Sequence, residues 1–598
     1  MGSAKAPQKP EQEAMADNEQ TGGPPETEPL PSLEDLQHWT WVLGRAQQMM
    51  LENGLDVLER GPKAPFAAMM DPAAAIRATA GFWADTMQLW QRFLDPANAA
   101  PFEETPEQAK DKRFKAPEWR EEPIFDFLRQ SYFTIADYML KGVDALDGVD
   151  EKQKEQIRFA TKGFLDAVSP TNFPATNPEV LARTVETKGE NLLKGLQHML
   201  ADLQKGQLTQ TDPNAFELGR NLATTPGKVV KRTDLYELIQ YSPATEQVYA
   251  TPLIIFPPWI NRFYILDLTP EKSFIRWAVE QGLTVFIVSW RSADATMKDV
   301  VWDDYVERGQ IDAIDTVRDL LKVDAVHTIG YCVAGTTLAA TLAVLAARDQ
   351  AEKVASATFF TAQVDFADSG ELQMFVDDDQ LALIENIAAD GFLDGRYMAA
   401  TFNLLRGRDL IWNYVTNNYL LGKDYVPFDL LHWNSDVTNL PVTWHLNYLK
   451  DLYRDNRLVL PGSMLVGGTP VDLSKVRTPT YVQAGREDHI APAASVWKIT
   501  HHFQGPLKFV LAGSGHIAGV VNPPSAGKYQ YWTNDRKVET LAEFVAGAKE
   551  TKGSWWPDWI GWIESLDGSK VAAKGARVPG KGKLKPLADA PGDYVRTR

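Results

Sequence analysis

The sequence predicts an α/β protein in which a parallel β-sheet is covered by helices and preceded by a helical N-terminal region. From about residue 235 onward, short apolar runs alternate with helical stretches, which is the βαβ pattern of a parallel sheet buried on both faces. Residues 32–205 instead carry apolar side chains at helical spacing. Between the strands expected near 360 and 480 the alternation stops, and an aromatic-rich helical insert takes its place.

The individual elements follow from the period of the apolar residues. Strands are predicted at 252–256, 284–290, 325–330, 355–360, 480–483 and 507–511. Helices between them are predicted at 271–280, 310–321 and 337–347. In the N-terminal region, helices are predicted at 33–58, 71–94, 123–146 and 150–167. Because four Trp residues fall at 555–562, we also expect a helix near the C-terminus that docks through its indole rings.

Composition divides the chain into regions. Residues 1–31 are rich in Pro, Gln, Glu and Gly, so they bury too little apolar surface to offset their ordering entropy, and we expect a disordered leader. A helical N-terminal domain is predicted at 32–234. A catalytic domain is predicted at 235–598, with a cap insertion at about 367–470. Residues 568–598 carry eight Lys or Arg against two Asp, a basic tail that we expect to be solvated.

Net charge and cysteine content exclude several classes of protein. The formal net charge of −18 argues against nucleic-acid binding through phosphate contacts. A single cysteine, Cys332, excludes an intrachain disulfide framework and a Cys-rich metal site, and fits a reducing compartment. We find no segment with the length and apolarity of a membrane span, and no signal-peptide pattern. We therefore expect a cytoplasmic protein without a metal.

The strongest motif is G-x-C-x-A-G at residues 330–335. A strand that ends at a glycine, turns through Cys332 and enters a helix has the plan of a nucleophile elbow, with cysteine in place of serine. The start of that helix would supply the backbone N–H of Val333 for an oxyanion. A second donor is expected from the early loop at 256–267, where Ile260 is the candidate. The alternative is that Cys332 is a small buried hydrophobic residue.

Two later loops carry partners for a thiol nucleophile. Asp488 follows the strand at 480–483, and His516 follows the strand at 507–511. The order Cys, Asp, His is the chain order of the triad in α/β-hydrolases. Asp365, after the strand near 360, is an alternative acid. The sequence therefore predicts an α/β-hydrolase fold with a cap insertion, preceded by an all-helical N-terminal domain.

At these residues the chain resembles the class I poly(3-hydroxyalkanoate) synthases. The resemblance covers nearly everything after the leader, although Ala334 stands where members of the family often have glycine. The matching segments are 114–120, 257–268, 330–335, 425–434, 485–492, 512–519 and 591–595.

The resemblance implies roles for the catalytic candidates. Cys332 would be the nucleophile and His516 the base that activates it. Asp488 would either orient His516 or help to activate the incoming hydroxyl group, and the sequence does not separate these roles.

The resemblance also implies a set of substrate contacts. Arg406 is a candidate for the phosphates of coenzyme A, and Trp433 for the substrate path. His489 and Asn261 are further candidates for binding the substrate or coenzyme A. Each of these side chains could equally serve packing or surface charge.

The implied activity is the polymerisation of (R)-3-hydroxyacyl-coenzyme A, in particular 3-hydroxybutyryl-coenzyme A, through a thioester on Cys332. No cofactor is implied beyond the coenzyme A that the substrate releases. The implied partners are the growing polyester chain with its granule surface, a second copy in a homodimer, and granule-associated proteins. The implied location is the cytoplasm, at polyhydroxyalkanoate granules.

Two alternatives remain open on sequence grounds. A cysteine-dependent thioesterase, hydrolase or depolymerase would use the same triad on the same fold. A non-catalytic granule coat would leave Cys332 inert. Because hydrolysis of the thioester would end a polymer chain, the polymerase reading requires the apolar insert at 367–470 to shield Cys332 from water.

Overall fold

The computed structural model describes residues 72–95, 102–146 and 148–597, with the backbone alone at 72–79. The predicted leader and the predicted helix at 33–58 lie outside these residues. The α-helices of seven or more residues are α1 Pro72–Leu94, α2 Pro123–Asp144, α3 Glu151–Ala167, α4 Pro178–Glu186, α5 Glu190–Lys205, α6 Phe274–Glu280, α7 Asp312–Leu321, α8 Val333–Ala347, α9 Asp378–Ile387, α10 Gly395–Leu405, α11 Asp429–Ser435, α12 Val442–Tyr448 and α13 Trp556–Leu566.

The strands of the described chain form one large sheet and three small two-stranded ribbons. The large sheet has eleven strands in the order β15-β14-β13-β12-β7-β6-β4-β5-β2-β1-β17. The strands are β1 Gly227–Arg232, β2 Tyr236–Tyr241, β3 Gln247–Tyr249, β4 Leu253–Phe256, β5 Val285–Trp290, β6 Val326–Tyr331, β7 Val354–Phe360, β8 Phe392–Leu393, β9 Leu440–Pro441, β10 Leu465–Val466, β11 Thr469–Pro470, β12 Thr480–Gly485, β13 Leu507–Ala512, β14 Gln530–Thr533, β15 Lys549–Lys552, β16 Lys570–Ala572 and β17 Ala588–Asp589.

All six predicted strands are confirmed, and they form the parallel centre of the sheet. The run β5-β4-β6-β7-β12-β13 is parallel at every pairing. Its central strands are almost wholly buried, which is why they read as continuous apolar runs. The carboxyl ends of β6, β12 and β13 lie at one edge, so the loops that carry the predicted triad meet there.

The sheet extends beyond the strands that the sequence predicted. β1 begins at Gly227, inside the segment assigned to the helical N-terminal domain, and pairs with β2 in antiparallel fashion. Its apolar content is only Val229 and Val230 between lysines, too little for a periodic signal. The division of the chain into domains at 234 and 235 stays a prediction.

The basic C-terminal tail is not simply solvated, which corrects the expectation from its charge. β16 pairs with β3, and β17 pairs with β1 at the edge of the large sheet. Arg577 is buried and donates hydrogen bonds to the carbonyls of Tyr249 and Ala250. Burying one cation against two backbone acceptors holds the tail against the end of β3.

The helical N-terminal region packs against the cap insert, which occupies the chain between β7 and β12. Asn191 on α5 donates from Nδ2 to the carbonyl of Leu420 at 2.8 Å. The hydroxyl of Tyr419 donates to Asp202 on the same helix at 2.7 Å. Arg408 pairs with Asp166 on α3 at 2.9 Å. The cap therefore lies between the N-terminal helices and the sheet. No helix among the described residues has the length and apolarity needed to cross a membrane.

Candidate active site

Cys332 occupies a strained turn between β6 and α8. Its backbone has φ 52° and ψ −127°, a conformation that L-residues seldom adopt outside functional turns. The turn is possible because two glycines face each other across it. A Cβ at Gly330 would lie 2.5 Å from the Cα of Gly335, and a Cβ at Gly335 would lie 2.4 Å from the Cβ of Ala362. Glycine is therefore needed at 335, whereas Ala334 is accommodated.

Asp488 and His516 meet at the same edge of the sheet. The Asp488 Oδ2 and His516 Nδ1 atoms are 2.7 Å apart, and both side chains are buried. The other carboxylate oxygen of Asp488 accepts the backbone N–H groups of Ile490 and Ala491 at 2.8 and 2.9 Å. These three contacts fix the carboxylate. Cys332 raises the pKa of His516 and so lies close to its ring, and the three predicted catalytic residues lie together.

The electrostatics of the site favour a charged imidazole. Burial lowers the pKa of His516, but the carboxylate of Asp488 and the charge of Cys332 outweigh it. The net effect places the pKa of His516 well above its usual value. A histidine with a raised pKa, fixed by a carboxylate beside a cysteine, is the arrangement that activates a cysteine nucleophile.

The loop that bears His516 is held by the tryptophan-rich helix near the C-terminus. Trp555 donates from Nε1 to the carbonyl of Gly519 at 2.7 Å, and Trp556 donates to the carbonyl of Val520 at 2.9 Å. Both indoles are fully buried. The prediction of a helix docked by its indoles is confirmed, and the docking site is the loop that follows His516.

A cavity of 110 Å³ lies over Cys332 beneath the cap. Its wall is mostly apolar and comes from cap helices, so water finds few hydrogen-bonding partners in it. The apolar lining includes Leu372, Phe375, Val376, Leu383, Ile384, Ile387, Leu393, Met398 and Phe402.

The two residues predicted to supply oxyanion donors lie beside the nucleophile. Val333 is the first residue of α8, and the N–H groups of a first helical turn have no partner within the helix. Ile260 lines the same cavity as Cys332. Their role as donors stays a prediction.

The predicted substrate contacts do not gather around Cys332 as the triad residues do. Arg406 is half exposed, pairs with Asp409 at 2.8 Å and lines a different, larger cavity. Trp433 is buried and donates from Nε1 to the carbonyl of Arg262 at 2.7 Å, which is a packing role. Asn261 forms a backbone bridge with Val437. None of the three lines the cavity over Cys332.

His489 lies next to the triad and close to the charge of Arg406. Burial lowers the pKa of His489, the carboxylate of Asp488 opposes that change, and the guanidinium of Arg406 adds to it. Arg406 is therefore near enough to His489 to affect its pKa. A role for either side chain in binding coenzyme A stays a prediction.

Three polar residues of the site escaped the sequence analysis. His445, Tyr448 and Tyr453 line the cavity over Cys332. The rings of Tyr448 and Tyr453 pack with their centroids 5.6 Å apart, and the pKa values of both are raised by burial and by the charge of Cys332. Burial lowers the pKa of His445 to about 4, so its ring is neutral. The spacing of three residues from His445 to Tyr448, and of eight from His445 to Tyr453, within the predicted helical insert could have indicated a shared face.

Known proteins with similar sequences identify the family of this chain. The chain is 45% identical over 544 residues to the poly(3-hydroxyalkanoate) polymerase subunit PhaC of Rhizobium meliloti (strain 1021), covering 89% of this chain and 87% of the relative. It is 45% identical to the same subunit of Cupriavidus necator, covering 82% and 83%. It is 36% identical to poly(3-hydroxyalkanoate) polymerase 2 of Ectopseudomonas oleovorans, covering 82% and 87%. The chain belongs to the poly(3-hydroxyalkanoate) polymerase family.

Family models agree with this membership. Residues 110–278 match the N-terminal region of poly-beta-hydroxybutyrate polymerases, and residues 253–523 match the alpha/beta hydrolase fold. A solved hydrolase from Pseudomonas aeruginosa PA01 is 14% identical, with a TM-score of 0.30, covering 50% of this chain and 95% of that one. The resemblance and the fold class predicted from sequence are confirmed. The polymerase family consists of acyltransferases, so the chain is an enzyme of that class.

Proposed function

We propose that this polymerase builds a polyester from (R)-3-hydroxyacyl-coenzyme A, with 3-hydroxybutyryl-coenzyme A as the main substrate. The growing chain is held as a thioester on Cys332. The relatives are named as poly(3-hydroxyalkanoate) polymerases, and the Cys332–His516–Asp488 arrangement supplies the groups that acyl transfer needs.

In the first step, His516 takes the proton of the Cys332 thiol, and the sulfur attacks the thioester carbonyl of the substrate. The tetrahedral oxyanion is stabilised by the backbone N–H groups of Val333 and Ile260. The carbon–sulfur bond to coenzyme A then breaks, and the departing thiolate receives the proton from His516. One thioester replaces another, so this exchange is nearly balanced in energy.

In the second step, the 3-hydroxyl group of another unit attacks the thioester on Cys332. His516 removes the hydroxyl proton and returns it to the sulfur of Cys332. An oxoester forms as the thioester breaks, and that change is downhill. Asp488 acts here by orienting the ring of His516, a role supported by its 2.7 Å contact with Nδ1. The reaction draws on the thioester alone and uses no other cofactor.

The observation that favours polymerisation over hydrolysis is the apolar cavity above Cys332. Its wall consists mostly of aliphatic and aromatic cap side chains, and its volume is 110 Å³. A thioester in such a space is shielded from water but remains open to an acyl unit that fills the space. A hydrolase of the same fold would instead need an ordered water beside the thioester.

The purified protein, incubated with (R)-3-hydroxybutyryl-coenzyme A, tests the proposal. We expect release of thiol together with insoluble polymer. The variant C332A should release no thiol, and because Cys332 is the chain's one cysteine, a thioester adduct in the wild type must lie on that residue. C332S is the matched control, since it keeps the elbow but yields an oxoester. Thiol release with soluble hydroxyacid alone would favour a hydrolase and overturn the proposal.

Further partners belong to the same proposal. We expect the enzyme to act at the surface of its polyester granule in the cytoplasm, together with granule-associated proteins. We also expect a homodimer in the active form. Sedimentation of the enzyme with and without the substrate would measure both the dimer and the association with newly formed polymer.

A further inference from the structure

A second and larger cavity lies beside the one that contains the nucleophile. Its volume is 570 Å³, about five times that of the 110 Å³ cavity over Cys332. It is enclosed between the N-terminal helices and the cap. Helix α3 and the end of helix α5 form one wall, and helix α10 with the residues that follow it forms the other.

Only one layer of the cap separates the two cavities. Ala400 and Leu404 on helix α10 line both of them. Met398 and Phe402 on the same helix line only the cavity over the nucleophile, and Ala399 lines only the larger one. At Ala400 the wall between the two cavities is therefore a single helix, and the side chain there is only a methyl group.

A second element of the cap divides the cavities in the same way. In the 3-10 segment Gly370–Phe375, Leu372 and Phe375 line the cavity over the nucleophile, whereas Glu371 and Met374 line the larger one. Consecutive side chains of one thin segment thus face opposite chambers. The two cavities are neighbours across a wall made of one helix and one short turn.

Three arginines around the larger cavity are held in ion pairs. Arg406 pairs with Asp409 at 2.8 Å, and Arg408 pairs with Asp166 at 2.9 Å. Arg396 pairs with Asp394 at 2.8 Å. The remaining wall is mostly apolar and includes Phe159, Met199, Leu203, Ile411 and Trp412. Because these three arginines already have carboxylate partners, the cavity suits an uncharged ligand better than a polyanion such as coenzyme A.

We propose that the larger cavity receives the growing polyester chain after it leaves the cavity over Cys332. This inference rests on the proposed polymerase function. A chain of hydroxyacyl units carries no charge along its length, and its ester carbonyls only accept hydrogen bonds, so it matches an apolar wall with arginine donors. The 110 Å³ cavity fills after very few units, and the neighbouring chamber offers the next enclosed space. The exit passes helix α10 at Ala400.

A variant that fills the chamber tests the inference. Ala160 on α3 lines the larger cavity and not the one over Cys332. We expect A160W to acylate Cys332 at the wild-type rate but to produce polymer about tenfold shorter, a change equivalent to about 1.4 kcal/mol against elongation. A160S, which keeps the site small, should produce polymer of wild-type length. Unchanged polymer length in A160W would overturn the inference.

The same assay separates the polyester from coenzyme A as the occupant. If the larger cavity bound coenzyme A, A160W would raise the KM for the substrate and leave polymer length unchanged, which would also overturn the inference. If the wild type acylates Cys332 but makes no polymer, the proposed function itself fails. The two failures are therefore distinguishable.

A labelling experiment on the wild type does not depend on how any variant folds. A 3-hydroxybutyrate trimer, activated as the coenzyme A thioester and carrying a diazirine at its hydroxyl end, would acylate Cys332 and be irradiated. We expect crosslinks within 156–167 and 396–412. Crosslinks confined to residues outside these two segments would place the chain elsewhere and contradict the inference.

Discussion

Gly335 shows how one residue decides whether the nucleophile can be presented. A methyl group at this position would meet the Cβ of Ala362 at 2.4 Å and the carbonyl oxygen of Gly330 at 2.7 Å. We expect G335A to lower the free energy of unfolding by about 1–3 kcal/mol and to reduce acylation of Cys332, because the turn must shift to relieve the contact.

The matched control for Gly335 is Gly561 on helix α13. Gly561 is exposed, and a Cβ there would meet no atom within 4 Å. G561A should raise the free energy of unfolding by up to ~1 kcal/mol through helix propensity alone and leave activity unchanged. Denaturant unfolding of both variants measures the difference. If G335A left the free energy of unfolding unchanged, the elbow would not be close-packed.

The charge of Asp488 beside His516 affects how the stability of the protein depends on pH. The pKa of His516 is raised in the folded protein, whereas in the unfolded chain it is about 6.5. Between these values the folded state holds a proton that unfolding releases, so stability is complete below about pH 6.5 and falls as pH rises, by up to ~1.4 kcal/mol per pH unit. D488N should show a shallower decline in denaturant titrations at pH 6.5 to 9. Equal slopes in both proteins would contradict the assignment.

The triad could be predicted because each member follows a buried strand, and parallel strands bring their carboxyl ends to one edge. The same logic could not find His445, Tyr448 and Tyr453. They belong to the cap, whose orientation over Cys332 depends on contacts between distant segments. Trp433 is buried and donates to a backbone carbonyl, and its place in the substrate path stays a prediction.

At the scale of elements, the C-terminal helix α13 and the His516 loop form one unit. The Nε1 of Trp555 donates to the carbonyl of Gly519, three residues after His516. W555F keeps most of the ring volume but leaves that buried carbonyl without its donor. We expect a loss of about 1–3 kcal/mol in stability and a lower kcat with little change in KM, because the substrate cavity is untouched.

Trp562 provides the comparison for that prediction. It lies on the same helix, is half-buried, and packs against the ring of Tyr481 with centroids 5.3 Å apart. W562F should therefore change stability slightly and leave kcat close to that of the wild type. If both variants reduced kcat equally, the helix would act through general stability and not through the His516 loop.

Elements whose buried side chains give a regular apolar pattern could be predicted from the sequence. Strands that pair with a distant segment of the chain could not. The six parallel strands were found because both of their faces are buried. β17 has two residues, and its partner β1 lies about 360 residues earlier in the chain. Nothing in the local composition of a basic tail indicates such a partner. β15 gave no signal either, because its residues are polar and mostly exposed.

At the scale of the whole molecule, the N-terminal helices and the cap behave as one wall around the larger cavity. Gly195 on α5 makes this contact possible, since a Cβ there would lie 1.7 Å from the carbonyl oxygen of Tyr419. Both groups are on the backbone, so neither can move aside without displacing its helix. The closeness of this approach links the position of α5 to the position of the cap.

Substitution of Gly195 tests whether that contact supports polymerisation. G195A should separate α5 from the cap, weaken the enclosure of the larger cavity and accelerate proteolysis in the irregular segment at 206–226 that joins α5 to β1. Gly142 on helix α2 is the control, because a Cβ there meets nothing within 4 Å. G142A should be cleaved at the wild-type rate. Since the triad lies on the sheet, acylation of Cys332 should persist in G195A while polymer length falls. If G195A lost acylation of Cys332 as well as elongation, the N-terminal region would instead support the nucleophile itself.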